Sequence, residues 1–126
     1  MQELTHYING AHVAGASGRF SNVYNPATGE VQAKVPLASA DEMAQAVEIA
    51  AAAQVAWGAV NPQRRARVMM KFVDLLNRDM DALAEALSRE HGKTLPDAQG
   101  DVQRGLEVVE YCIGAPQMLK GDFTDS

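Results

Sequence analysis

The sequence predicts a fold in which two or three short β-strands are followed by four α-helices. Two observations lead there. Before Ala40, turn signals and β-branched residues dominate; after it, apolar residues recur at helical spacing. The junction carries a capping box, Ser39-Ala40-Asp41-Glu42, in which serine and glutamate satisfy each other's open backbone donors. The chain therefore divides into a strand and hairpin region over residues 1–40 and a helical region over residues 41–126.

The strand region is read from its turns. Tyr7-Ile8 and His12-Val13 flank Asn9-Gly10, a pair that suits a type I′ hairpin because both central residues need positive φ. Gly15-Ala16-Ser17-Gly18 reads as a loop and Ser21 to Tyr24 as a strand. Asn25-Pro26-Ala27-Thr28-Gly29 then makes a turn. Glu30 to Val35, with Val31, Ala33 and Val35 alternating, reads as a strand that stops at Pro36.

Four helices follow. The first places Met43, Ala46, Val47, Ala50 and Trp57 on a helical period. Asn61-Pro62 opens the second, with a capping side chain and then a proline where no N–H is needed; Ala66, Met69, Met70, Val73 and Leu76 face inward. The third starts near Met80, turns Leu83, Ala84 and Leu87 inward, and stops at Gly92. Thr94-Leu95-Pro96-Asp97 opens the fourth, whose stripe is Ala98, Val102, Leu106, Val109 and Ile113. Gly114 and Pro116 end or kink it.

Composition narrows the function classes. A length of 126 residues allows one domain at most. Eleven basic against sixteen acidic residues leave a net charge of −5, which argues against nucleic acid as a partner. Leu, Ile, Val and Phe number 27, and much of the remaining apolar content is alanine, so the core is expected to be thin. The single cysteine, Cys112, excludes an internal disulfide. No signal peptide and no run of 18 apolar residues is seen, so the cytoplasm is expected and a membrane is not.

Several local patterns suggest chemistry. Gly92-Lys93-Thr94 has the end of a phosphate-cradling loop, but the glycine that such a loop needs five residues earlier is Leu87. Gly92 is better explained as a helix C-terminal glycine. Gly10, Gly15 and Gly18 do not form a dinucleotide-binding fingerprint, and no cofactor-binding residue is assigned. Cys112 lies near the end of the fourth helix, where the helix dipole disfavours a thiolate. It reads as a buried or half-buried structural residue, so no catalytic residue is assigned. His6, His12 and His91 show no metal-ligand spacing, and no metal site is expected.

Gly100-Asp101-Val102-Gln103-Arg104-Gly105 is the most unusual segment, because two glycines weaken an otherwise good helix. Such glycines mark a close approach, a kink or a site. On spacing, Arg104 makes an i,i+3 ion pair with Asp101. Alternatively, it offers its planar fork to a ligand carboxylate.

Tyr7-Ile8-Asn9-Gly10, Asn25-Pro26-Ala27-Thr28-Gly29-Glu30-Val31, Val35-Pro36, Ala56-Trp57, Arg65-Ala66 and Glu90-His91-Gly92-Lys93-Thr94 together resemble the opening of the aldehyde dehydrogenase superfamily. Within it, the run from Asp97 through Gly100-Asp101-Val102, Arg104-Gly105 and Glu107-Val108-Val109-Glu110 resembles the methylmalonate-semialdehyde dehydrogenases. The likeness spans about Tyr7 to Phe123 and implies an N-terminal fragment of an α/β, aldehyde dehydrogenase-like parent fold. The helical region would then belong to the parent's NAD-binding domain.

The resemblance also implies a reaction. A cysteine thiolate attacks methylmalonate or malonate semialdehyde, NAD takes the hydride, and coenzyme A receives the acyl group as propionyl-CoA or acetyl-CoA with loss of carbon dioxide. It assigns Arg104 to the substrate carboxylate. It further implies the remainder of the parent enzyme as partner, a homo-tetramer when intact, and neither nucleic acid nor membrane. The family's nucleotide-binding units, oxyanion-hole asparagine and nucleophile all follow the matched region, so this chain by itself is expected to be inactive. Two alternatives stay open: part of a hydrolytic aldehyde dehydrogenase of other specificity, and a non-catalytic helical binding or assembly module.

Overall fold

The computed structural model describes residues 2–122, which form two compact units divided between Ala59 and Val60. The first holds strands β1 (Gln2–Glu3), β2 (His6–Ile8), β3 (Ala11–Val13), β4 (Phe20–Tyr24) and β5 (Val31–Pro36), with helix α1 (Ala40–Gly58). The second holds α2 (Pro62–Arg78), α3 (Met80–His91), α4 (Leu95–Ile113) and α5 (Ala115–Leu119).

In the first unit, β2 and β3 are an antiparallel hairpin with Ile8 opposite Ala11. Asn9 and Gly10 close it at φ 54° and 75°, the double positive φ expected of this turn. A separate sheet has the order β1-β5-β4, with β4 antiparallel and β1 parallel to β5. The β4–β5 turn is tied by Asn25, whose Oδ1 accepts from the Ala27 amide at 2.9 Å and whose carbonyl accepts from Gly29 at 2.7 Å.

Two expectations about element number are corrected: among the described residues five strands form rather than two or three, and five helices rather than four. The physical reasons differ. β1 is two exposed polar residues with no alternation to read; it exists because Gln2 and Glu3 pair with Ala33 and Lys34, far along the chain. Leu4 extends the ladder by donating to the Lys34 carbonyl at 2.8 Å. At the other end, Pro116 has no N–H to continue α4. Gly114 nonetheless keeps a right-handed backbone, φ −76° and ψ −5°, so the chain restarts as α5 instead of turning away.

The helix starts follow their signals. Ser39 Oγ accepts from the Glu42 amide at 3.2 Å, and Glu42 returns a carboxylate oxygen to the Ser39 amide at 2.8 Å. Asn61 accepts from the Gln63 amide at 2.8 Å, one residue before Pro62 begins α2. Gly92 ends α3 in the left-handed conformation, φ 83°, which glycine adopts without Cβ strain.

Glu42 does more than cap. Its other oxygen accepts from the Ala16 amide at 2.6 Å, so one carboxylate clips the loop before β4 to the start of α1. Arg19 adds a bond from Nη2 to the Ala38 carbonyl at 2.9 Å.

The core is thin, as composition implies. Among the described residues the buried apolar side chains are Ala33 and Pro36 in the first unit and Ala66, Ala84, Ala98 and Leu106 in the second. In the helical unit α4 packs against α2 and α3, and α5 against α2 and α4. Alanines at those crossings let the helix backbones approach closely. No single helix among the described residues is long and apolar enough to cross a membrane.

The backbone amides of Ser39 and Ala16 hold the Glu42 carboxyl below the usual carboxylate range. Glu42 therefore binds its proton less tightly folded than unfolded. Its stabilisation is complete above the unfolded pKa, about 4.3, and is lost as pH falls through the lower folded value. In an NMR titration, the Ala16 and Ser39 amide resonances should move together with a midpoint below that of an unstructured glutamate. Glu42→Gln should remove the shared midpoint.

Candidate functional site

The candidate site lies on α4 and the turn that leads into it. Ser88, in the last turn of α3, donates from Oγ to the Lys93 carbonyl at 2.7 Å, and the Gly92 amide returns to the Ser88 carbonyl at 2.8 Å. These bonds fix the backbone from which the Lys93 side chain extends. Pro96 lies in the first turn of α4, where its missing N–H leaves no backbone bond unmade.

On α4 the stripe predicted from spacing faces its neighbours: Ala98 and Leu106 are buried, and Val102, Val109 and Ile113 half-buried. At about 100° per residue, Arg104 lies roughly 160° round the helix from the middle of that stripe. Its side chain is 70% exposed. The helix packing that buries the stripe thus presents this guanidinium outward.

Asp101, one turn earlier, connects two cations. Its Oδ1 accepts from Arg104 Nη2 and its Oδ2 from Lys93 Nζ. The hydrogen bond from Lys93, supported by that from Arg104, holds the Asp101 carboxyl below the usual carboxylate range. The i,i+3 pair read from spacing is therefore present, and it leaves most of the guanidinium edge facing solvent. Neither the phosphate-loop remnant nor the superfamily motif that contains Lys93 points to Asp101. That partner stands eight residues on, across a helix start, where no helical spacing rule applies.

Cys112 is exposed, not buried or half-buried, because it falls off the stripe that ends at Ile113. His6 and His12 lie on paired strands, and His12 Nδ1 shares a 2.9 Å hydrogen bond with Thr5 Oγ1. No group of three or more His, Cys, Asp or Glu side chains among the described residues could hold a metal ion. Gly92-Lys93-Thr94 is a helix end followed by a helix start, so its amides do not wrap a phosphate.

The model of the aldehyde dehydrogenase family matches residues 12–126. The chain belongs to that family. Within this aldehyde dehydrogenase family, malonate-semialdehyde dehydrogenase of Pseudomonas aeruginosa is 44% identical over 124 residues, which are 98% of this chain and 25% of the relative. A crystal structure from Sinorhizobium meliloti, provisionally named a methylmalonate-semialdehyde dehydrogenase and complexed with NAD, is 63% identical with a TM-score of 0.93. It matches 99% of this chain, which covers 26% of it. Methylmalonate-semialdehyde dehydrogenase from Oceanimonas doudoroffii superposes with a TM-score of 0.91 at 43% identity, over 95% of this chain and 24% of the neighbour. The chain spans about a quarter of the length of the curated relatives it matches.

The α4 glycines meet little. A Cβ on Gly105 would touch nothing within 4 Å, and one on Gly100 would reach only Arg104 Nη1 at 3.8 Å. Neither marks a close approach among the described residues. Gly105→Ala should therefore strengthen α4 by about 0.5–1 kcal/mol, read as slower amide exchange along Leu106 to Ile113. Faster exchange would reveal a packing demand at Gly105.

Proposed function

We propose that this chain is part of an NAD-dependent, coenzyme A-acylating dehydrogenase of methylmalonate or malonate semialdehyde, and that Arg104 holds the substrate carboxylate. The observation that carries the reading is the exposed Arg104 fork on the face of α4 opposite its buried stripe. The names of its similar relatives support the substrate class.

The semialdehyde carries a carboxylate at a fixed distance from its reacting carbonyl. A planar guanidinium can take both carboxylate oxygens and so set where the carbonyl lies. Binding and orientation are thus the tasks assigned to this chain. Among the described residues the glycine-lysine-threonine run forms helix ends, and no glycine-rich turn feeds a helix. NAD, as hydride acceptor, and coenzyme A, as acyl acceptor, belong in this reading to the rest of the enzyme.

The same reading assigns residues 41–126 to the parent's NAD-binding domain, makes the remainder of the enzyme the partner of this chain, and expects a cytoplasmic homo-tetramer. In the full-length enzyme, Arg104→Ala should raise KM for the carboxylated aldehyde about ten- to hundredfold, the range of a charge-assisted hydrogen bond. KM for propanal should change far less. Equal effects on both aldehydes would remove Arg104 from the substrate site. Release of free acid, with no coenzyme A thioester formed, would overturn the acyl-transfer assignment.

A further inference from the structure

We propose that Asp101 is a positioning residue for Arg104, and that Lys93 is the second anchor that makes it one. The proposal rests on the reading of Arg104 as the carboxylate-binding group. Three side chains form a graded chain of contacts from the protein surface outward. Lys93 is 20% exposed, Asp101 33% and Arg104 70%. The sheltered end is the fixed end, since the Lys93 backbone is bonded to Ser88.

An exposed arginine has many rotamers, and holding it in one costs entropy that ligand binding must otherwise supply. Asp101 Oδ1 takes Nη2 of Arg104 and thereby reduces that freedom. The guanidinium has five N–H donors, so the contact leaves a donor edge for a second carboxylate.

The same contact has an electrostatic drawback. An aspartate paired with Arg104 alone would cancel the charge that attracts an anionic substrate. Lys93 on the other oxygen changes this, because Lys93 and Asp101 neutralise each other and Arg104 keeps its net charge. Positioning and attraction then coexist. No nucleophile or general base is needed for this role, and Asp101 transfers no proton in it.

The two possible roles of Asp101 predict opposite signs, which makes them separable. The quantity to read, in the full-length enzyme, is the ratio of KM for the carboxylated aldehyde to KM for propanal. If Asp101 positions Arg104, Asp101→Asn should raise that ratio about tenfold, with the larger change in KM rather than kcat. Asp101→Glu should restore part of it. In an Arg104→Ala background, Asp101→Asn should leave the ratio where Arg104→Ala had put it.

A ratio that falls in Asp101→Asn, as expected for release of a neutralising charge, would overturn the proposal. So would an unchanged ratio, or an effect of equal size in the Arg104→Ala background. Where Asp101→Asn does not fold, as judged by its melting temperature, Asp101→Ser serves the same comparison. An Arg104→Ala variant with no selective effect would defeat the carboxylate reading itself. A selective Arg104→Ala beside an inert Asp101→Asn would defeat only the role of Asp101.

Discussion

The constraint on which both units depend is how few large side chains they bury: Phe20, Trp57, Phe72 and Tyr111 are all exposed. Among the described residues, Ala33, Pro36 and Leu106 apart, the buried apolar residues are the three alanines Ala66, Ala84 and Ala98 of the helical unit. Alanine removes little apolar area from water, so its burial drives association weakly. It does allow backbones to approach closely, and the helices use it that way. Order must then come from directional interactions. The hairpin turn at Asn9-Gly10, the Asn25 turn, the Ser39–Glu42 box and the Asn61 cap each satisfy backbone groups that a larger core would help to hold.

The same constraint explains how Arg104 comes to be displayed. Ala98 and Leu106 are buried at two points along α4, which sets the helix in rotation about its own axis. Once that rotation is set, residue 104 must point away from the packed face. The bonds at the α3–α4 turn then bring Lys93 to Asp101, and Asp101 to Arg104. Packing thus determines direction, and ion pairing determines conformation. Both act before any ligand arrives, as a specific carboxylate site requires.

Turn and cap chemistry was the most legible part of the sequence, because each signal acts within a few residues. Asn9-Gly10, Ser39 with Glu42, Asn61-Pro62 and Gly92 all take the conformations that their types demand. The α4 stripe was legible for the same reason, since its period is local. The illegible elements have distant causes. β1 forms only because β5 offers it a ladder, and α5 depends on how Gly114 and Pro116 are held after α4 ends. Cys112 is exposed against expectation because one helical position separates the stripe that ends at Ile113 from solvent.

The sequence by itself determined where helices begin and hairpins turn, which face of α4 is apolar, and that Arg104 stands one turn from Asp101. Short-range backbone sterics and the helical period are enough for that. Tertiary structure decided the count of five strands and five helices among the described residues, the exposure of Arg104, and the sharing of Asp101 between two cations. Those features depend on partners brought together only when the chain folds: Lys34 for Glu3, and Lys93 for Asp101. No local propensity encodes such a meeting, because its geometry is set by the packing of whole elements.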